Sequence, residues 1–231
     1  MSRRILVTGA AGDIGAAVAK RFNSEGYDII GLDIVPTTES ELFKDFITVD
    51  LKDSREINVV CERISQMYLP LWAFVYCAGI YPIKSLNDYT LELWDEVQAI
   101  NLRAIFHMIK LLCPGIEKGG RIVIIASGAA HLGSRDVGYS SSKAGVIGLV
   151  RSLAKLLAPD ILVNAVCPGV IKTQMSSRMP PEHLREYLKI IPLGRLGTPE
   201  EVSACISFLL DEGNTYMTGA TIDINGGLYA R

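Results

Sequence analysis

The sequence predicts an α/β domain in which a parallel sheet of about seven strands is covered by helices on both faces. Short apolar runs rich in β-branched residues alternate with longer amphipathic stretches along nearly the whole chain, and this alternation is typical of repeated β-α units. Several runs are apolar without interruption, as strands buried on both faces are. With 231 residues, of which 49% are hydrophobic and 21% charged, the chain suits a single domain over residues 1–231.

The elements follow one another in a regular order. The predicted strands are residues 5–7, 28–32, 46–49, 72–76, 121–125, 162–166 and 221–224. The predicted helices are residues 14–25, 54–67, 91–112, 139–157 and 199–210. In the fourth helix an apolar face is formed by residues at spacings of three and four, namely Val146, Val150, Leu153 and Leu157.

Composition excludes several classes of protein. The net charge is −2, with neither a basic stripe nor an acidic tail, so we expect no nucleic-acid partner. No apolar run approaches the ~18 residues of a membrane span. Five cysteines without C-x-x-C spacing favour a reducing, cytoplasmic location. The three histidines have no metal-ligand spacing, so no metal site is predicted.

The first predicted strand leads into a glycine-rich loop and then a helix, in the stretch "ILVTGAAGDIG". This geometry places a helix N-terminus and free backbone N–H groups against a pyrophosphate. We expect Gly9, Gly12 and Gly15 to supply positive φ angles and close approach of the backbone. A glycine-rich turn also serves tight packing, so this motif alone leaves both interpretations open.

An acidic residue ends the second predicted strand. Asp33 stands eighteen residues after Gly15, where a carboxylate accepts hydrogen bonds from the adenosine ribose. It would repel a 2′-phosphate, and no Arg or Lys lies in the glycine loop or directly after Asp33. The pattern therefore predicts NAD rather than NADP, although an Asp that merely ends a strand is the alternative. Asp50 and Leu51, after the third strand, are expected to flank the adenine.

The order and the spacing of these motifs resemble those of the short-chain dehydrogenase/reductase family. The matching features are Thr8-Gly9 with Gly15, Asp33, Asp50, Ala78-Gly79, Asn101, Ser127, Tyr139 to Lys143, Pro168-Gly169 with Thr173, and the ending "YMTGATIDINGG". The resemblance implies a Rossmann-like doubly wound sheet, a nicotinamide cofactor, and a homotetramer or homodimer.

Within that family two branches differ in length. The spacing Gly9-x-x-Gly12-x-x-Gly15 is typical of the longer, two-domain branch, and the short branch normally has glycine at the position of Asp13. Only 88 residues follow Lys143, too few for a separate substrate domain, so we assign the short branch. The carboxylate of Asp13 would then have to point away from the pyrophosphate or be neutralised.

The resemblance also implies the chemistry. Tyr139 would be the general acid/base, Ser127 would orient the substrate oxygen, and Lys143 would hold the nicotinamide ribose. For proton exchange near neutral pH the phenol pKa must fall by ~3 units, which we expect from Lys143 together with the oxidised nicotinamide. Asn101 would hold a water that connects Lys143 to solvent, or would be a structural residue bonded to the backbone. The implied cofactor contacts are Gly9, Gly12, Asp13, Ile14, Gly15, Asp33, Asp50, Leu51, Ala78, Gly79, Tyr139, Lys143, Pro168, Gly169, Val170 and Thr173.

The sequence of residues 174–196 indicates a short lid over the substrate. Pro180 and Pro181 start a helix whose Leu184 and Leu188 are expected to face inward. Because the lid is short, we expect an NAD-dependent oxidoreductase of small secondary alcohols or ketones, including cyclic and polyhydroxylated ones. The alternatives are an NADPH-dependent 3-oxoacyl thioester reductase and a non-catalytic dinucleotide-binding sensor or scaffold. His131 is expected to line the substrate pocket or cap a helix.

Overall fold

A computed structural model of the protein describes residues 2–231 and contains the predicted seven-stranded parallel sheet. The strands are β1 (Arg4–Thr8), β2 (Asp28–Asp33), β3 (Asp45–Thr48), β4 (Leu71–Tyr76), β5 (Ile116–Ile125), β6 (Ile161–Pro168) and β7 (Thr221–Ile224). Their order in the sheet is β3-β2-β1-β4-β5-β6-β7, and every pairing is parallel.

Helices cover both faces of the sheet. They are α1 (Asp13–Ser24), α2 (Ser54–Met67), α3 (Leu91–Gln98), α4 (Ala104–Leu112), α5 (Ala129–Leu132), α6 (Val137–Leu157), α7 (Gln174–Ser177), α8 (Pro181–Ile190) and α9 (Pro199–Leu210). Successive strand residues point to opposite faces, so Leu6 packs with α2, α4 and α6, whereas Ile5 and Val7 pack with α1 and α9. Two buried clusters result, and the predicted doubly wound fold is confirmed.

The predicted helix at residues 91–112 is interrupted. A π-helical segment, Ala99–Arg103, separates α3 from α4. The Tyr76 hydroxyl donates to the Ile100 carbonyl at 2.7 Å, and the buried Asn101 amide turns to the backbone of Ile80. These contacts from outside the helix stabilise a wider turn, which hydrophobic periodicity does not reveal, and such turns are frequent at functional sites.

The predicted lid contains α7 and α8. Pro181 is the first residue of α8, as expected. The inward orientation expected of Leu188 is wrong, because this side chain is exposed. Tyr187, three residues after Leu184, lines the cleft beside Met175 and Met179 instead. None of the helices within residues 2–231 is both long and apolar enough to cross a membrane.

Candidate active site

One cleft lies at the carboxyl ends of the strands, where the strand order reverses between β1 and β4. This is where open α/β sheets bind ligands. One half of the cleft is lined by the glycine loop, Asp33 and Asp50, and the other half by Ser127 and Tyr139. The structure places every predicted site residue except Asn101 on the walls of these two halves.

The glycine loop has the tight geometry that a dinucleotide site needs. Gly9 has φ +65°, and a Cβ there would lie 2.7 Å from the Ala78 nitrogen. A Cβ on Gly15 would lie 2.0 Å from the Gly9 carbonyl oxygen. The positive φ predicted for Gly12 and Gly15 is wrong, because Gly12 is the extended residue before α1 and Gly15 lies in its first turn. Gly15 is needed for close packing rather than for φ.

Two carboxylates lie at the far end of the cleft. Asp33 Oδ2 accepts the Ala11 N–H at 3.0 Å, and Asp33 Oδ1 accepts the Ile34 N–H at 2.7 Å. Asp50 Oδ1 accepts the Lys52 N–H at 2.8 Å. These bonds hold Asp33 beside the glycine loop, where the sequence predicted a contact with ribose. The residues present therefore fit a dinucleotide.

Asp13 lines the dinucleotide half of the cleft, and its carboxylate is bonded to the lid. Its Oδ2 accepts the backbone N–H of Gln174 at 2.9 Å. Gln174 is the first residue of α7 and hence the start of the lid. The Asp13 carboxylate is thus bonded to the lid, and this contact bears on the requirement that it point away from the pyrophosphate or be neutralised.

The helix that carries Tyr139 begins at a buried aspartate that the sequence analysis missed. Asp136 is the N-cap of α6, and its Oδ1 accepts the Tyr139 N–H and the Tyr89 hydroxyl, both at 2.9 Å. Its Oδ2 accepts the Lys84 N–H at 3.2 Å. The signal was present, since an Asp three residues before Tyr139 is a typical N-cap.

A second missed residue, Tyr81, packs against Tyr139. The two ring centroids are 4.5 Å apart, and Tyr81 lines both halves of the cleft. The contact restricts the orientation of the Tyr139 ring. Nothing in the local sequence distinguishes Tyr81 from other loop tyrosines, so only the fold reveals it.

The pKa of Tyr139 is raised above its ordinary value of 10, mainly by burial. The Ser127 hydroxyl lowers this pKa as a hydrogen-bond partner, and the negative charge of Asp136 raises it further. The pKa of Tyr139 is thus not lowered in the protein alone, and the expected lowering by Lys143 together with the oxidised nicotinamide stays a prediction. Lys143 Nζ lies 5.8 Å from the centroid of the Tyr139 ring and donates to the Ile125 carbonyl at 2.7 Å, so it does not bond to the phenol.

Lys143 is buried beneath the cleft. Burial lowers its pKa to about 8. A Cβ on Gly79 would lie 3.5 Å from Lys143 Nζ and 3.3 Å from Asn101 Oδ1, so both polar groups converge on the same side of Gly79. Asn101 Oδ1 accepts the Ile80 N–H at 2.8 Å, while Nδ2 donates to the Ile80 carbonyl at 3.0 Å and to Ser142 Oγ at 3.1 Å. Asn101 therefore makes the hydrogen bonds to the backbone that its alternative, structural role implies.

His131 does not line the cleft as expected. It lies on α5 with Nε2 3.8 Å from Cys167 Sγ, and the ligand atoms of His131, Cys167 and Asp223 all lie within 4.8 Å of one another. Sequence spacing does not predict this cluster, because three separate elements supply it. Asp223 is paired with Arg231 Nε at 2.8 Å and accepts the Tyr229 hydroxyl at 2.7 Å, and burial raises the pKa of Cys167 to about 11. We interpret the cluster as an ion pair beside a core thiol.

Comparisons with known proteins agree with this geometry. A family model described as enoyl-(acyl carrier protein) reductase matches residues 9–229. A 3-oxoacyl-[acyl-carrier-protein] reductase of Thermotoga maritima is 36% identical over 236 residues, covering 96% of each chain. An acetoacetyl-CoA reductase of Rhizobium meliloti is 36% identical, covering 99% of each chain. A short-chain dehydrogenase/reductase of Brucella melitensis, described as glucose/ribitol dehydrogenase, superposes with a TM-score of 0.92 at 29% identity over 99% of this chain and 97% of that one.

The fold and the cleft define an oxidoreductase that binds a nicotinamide dinucleotide. The chain belongs to the short-chain dehydrogenase/reductase family, which confirms the resemblance drawn from its motifs.

The main functional expectation, a dehydrogenase of small alcohols, is wrong. The relatives that are 36% identical carry the names of 3-oxoacyl-thioester reductases. The structure supplies a physical reason. The walls beyond Ser127 and Tyr139 are largely apolar, with Leu132, Met175 and Met179, and a polyhydroxylated substrate would leave buried hydroxyl groups unpaired there.

Proposed function

We propose that the protein reduces the 3-oxo group of an acyl thioester to a hydroxyl group, using a reduced nicotinamide dinucleotide. The similarity to 3-oxoacyl-[acyl-carrier-protein] and acetoacetyl-CoA reductases, over at least 96% of each chain, carries this proposal. The half of the cleft around Ser127 and Tyr139 is largely apolar and opens to solvent, which supports the proposal, because the acyl part can lie among apolar side chains while a long thioester arm extends outward.

The residues of the cleft divide the reaction between them. When bound, the cofactor supplies the hydride that the carbonyl carbon accepts. Tyr139 holds the proton that the carbonyl oxygen takes up, because a phenol is protonated at neutral pH. Ser127, at the end of β5, holds the same oxygen by a hydrogen bond. Lys143, which is charged below about pH 8, binds the nicotinamide ribose.

Asn101 and the lid complete the proposed machinery. Asn101 anchors the backbone after Gly79 and lies on the same side of Gly79 as the Lys143 ammonium group, so we assign it the role of fixing a water that resupplies the proton. Thr173 lies where the cleft halves meet and would bond the nicotinamide amide. Residues 174–196 act as the lid, with Met175 and Met179 against the acyl group.

We assign NADH rather than NADPH as the preferred cofactor. The Asp33 carboxylate is held in place by three backbone N–H groups beside the glycine loop, so it cannot turn away from a ribose at low cost. A 2′-phosphate there would meet this negative charge. Asp33→Ala should narrow the ratio of kcat/KM for NADH to that for NADPH, and an unchanged ratio would refute this contact.

The proposed function is tested by following the oxidation of NADH at 340 nm with acetoacetyl-CoA. Tyr139→Phe should lower kcat by roughly 10²–10⁴-fold while leaving the Kd of NADH near its wild-type value. Tyr216→Phe changes a fully exposed tyrosine and should have no effect. Tight NADH binding without turnover of any 3-oxoacyl thioester would instead support a sensor or scaffold.

We also propose that the chain assembles as a homodimer or homotetramer. Phe106 on α4 and Phe208 on α9 are each more than half exposed, and a partner copy would cover such side chains. Light scattering coupled to gel filtration measures the mass directly, and a 25.2 kDa particle would contradict the proposal.

A further inference from the structure

Residues 173–178, which we call the lid start, are docked onto the glycine loop by one side chain. Thr173 and Ser176 satisfy each other in a capping box, with Thr173 Oγ1 accepting the Ser176 N–H at 3.2 Å and Ser176 Oγ accepting the Thr173 N–H at 3.0 Å. The N–H of Gln174 remains for a partner from elsewhere. Asp13 Oδ2, from the start of α1, accepts it at 2.9 Å.

This contact joins two parts of the cleft that have different ligands. Asp13 belongs to the loop that faces the dinucleotide, whereas Met175 and Met179 follow Gln174 and face the proposed acyl site. A displacement of the lid start would therefore change both binding surfaces together. The contact needs one acceptor oxygen at this position, which Asp13 Oδ2 supplies to the Gln174 N–H.

Arg178 ends the lid start and lines the dinucleotide half of the cleft with Asp13 and Asp33. Within residues 2–231 its guanidinium makes no ion pair and no side-chain hydrogen bond, whereas Arg195, further along the lid, is paired with Glu201. A guanidinium group matches phosphate oxygens in a bidentate manner. The position of Arg178 depends on where the lid start is docked.

We propose that Asp13 is a positioning residue that latches the lid start onto the glycine loop and thereby places Arg178 against the pyrophosphate of the bound dinucleotide. The part concerning the dinucleotide rests on the proposed function. The carboxylate does not touch the phosphates. It acts through the lid, by fixing the position of the segment that carries Arg178.

The variants Asp13→Ala and Asp13→Asn separate the latch from the charge. Asp13→Asn keeps an acceptor oxygen for the Gln174 N–H but removes the negative charge, whereas Asp13→Ala removes both. Asp211→Ala is the matched control, since Asp211 Oδ1 accepts the Gly213 N–H at 2.7 Å in a loop that lines neither half of the cleft.

Hydrogen exchange of residues 172–180, followed by mass spectrometry without cofactor, tests the latch itself. Exchange of the Gln174 amide should be about five-fold or more faster in Asp13→Ala than in the wild type, and close to wild type in Asp13→Asn and Asp211→Ala. Equal exchange in Asp13→Ala and the wild type would overturn the latch, whether or not the protein turns over any thioester.

A double-mutant cycle on the Kd of NADH tests the action through Arg178. We expect Asp13→Ala and Arg178→Ala each to raise the Kd about five-fold, and the double variant to raise it about five-fold rather than twenty-five-fold. Asp13→Asn should bind NADH as tightly as the wild type or more tightly. Under steady state, Asp13→Ala should raise the KM for NADH more than it lowers kcat.

The outcomes separate this proposal from the proposed function. Additive effects in the cycle, or weakened NADH binding in Asp13→Asn, would overturn the latch proposal alone. No binding of NADH by the wild-type protein would overturn the cofactor assignment and the role of Arg178 together.

Discussion

Replacing Asp136 with alanine should damage both stability and catalysis, because this buried carboxylate holds three elements together. Asp136 is 1% exposed. It caps α6 through the Tyr139 N–H, binds the hydroxyl of Tyr89, and accepts the N–H of Lys84 from the loop before α3. Asp136→Ala leaves all three donors without this acceptor.

The expected loss follows from these three bonds. Loss of an N-cap costs about 1 kcal/mol, and each of two further donors deprived of its acceptor costs roughly 1 kcal/mol or more. The sum is about 3 kcal/mol, which lowers Tm by roughly 6–12 °C in a chain of this size. Because the first turn of α6 positions Tyr139, we expect kcat to fall by about 10- to 100-fold.

Urea unfolding followed by circular dichroism and NADH-dependent reduction of acetoacetyl-CoA measure the two effects. Asp53→Ala is the control, because Asp53 caps α2 through the Arg55 N–H at 2.7 Å on the protein surface and should cost only about 1 kcal/mol. If Asp136→Ala is no less stable than Asp53→Ala and retains wild-type kcat, the proposed role of Asp136 is refuted.

Two further predictions concern the glycine loop and Lys143. Gly15→Ala should destabilise the protein by roughly 1–3 kcal/mol and weaken NADH binding, because the new Cβ would lie 2.0 Å from the Gly9 carbonyl oxygen. Gly148→Ala on α6, where a Cβ meets nothing within 4 Å, is the control and should stabilise the protein by about 0.5–1 kcal/mol. Equal effects of the two substitutions on stability would contradict the packing argument. The rate of reduction should fall as pH rises through about 8, where Lys143 loses its proton, and Lys143→Arg should move that fall to higher pH if the variant is active. In the unfolded chain Lys143 keeps this proton up to about its ordinary pKa of 10.5. The free energy of unfolding therefore gains a contribution that rises with pH between about 8 and 10.5. If a Lys143→Met variant showed the same pH dependence of urea stability as the wild type, Lys143 would not titrate in this range.

Elements with local start and stop signals were predicted with their correct boundaries. The helix at residues 54–67 begins after the Asp53 cap, and that at residues 199–210 begins with Pro199 after a capping box of Thr198 and Glu201. The interruption at Ala99–Arg103 was missed because its causes, Tyr76 and the backbone of Ile80, are distant in sequence. Hydrophobic periodicity continues through the π-helical turn and gives no sign of it.

The sequence predicted those residues of the candidate site that lie at the ends of strands. Asp33 ends a strand, Gly9 and Ser127 lie just after one, and parallel strands end at one edge of the sheet. Tyr81 and Asp136 come from loops whose paths depend on tertiary packing. The substrate class was wrong because the length of the lid says little about a ligand whose arm extends into solvent, and the apolar walls that favour an acyl group are assembled from three separate segments.

The pKa of Tyr139 shows what the bound ligands have to supply for proton transfer. The sequence analysis required the phenol pKa to fall toward neutrality, but burial and the charge of Asp136 raise it in the protein. A raised pKa keeps the phenol protonated at neutral pH but makes it a weaker acid, so positive charge or hydrogen bonds supplied by the bound ligands have to lower this pKa during proton transfer. Oxidation in the reverse direction needs the phenolate and hence a higher pH or an added positive charge near the ring. The pKa of Tyr139 in the protein alone therefore does not distinguish a reductase from an alcohol dehydrogenase, and the preference for a reductase rests on the similarity to 3-oxoacyl-[acyl-carrier-protein] and acetoacetyl-CoA reductases.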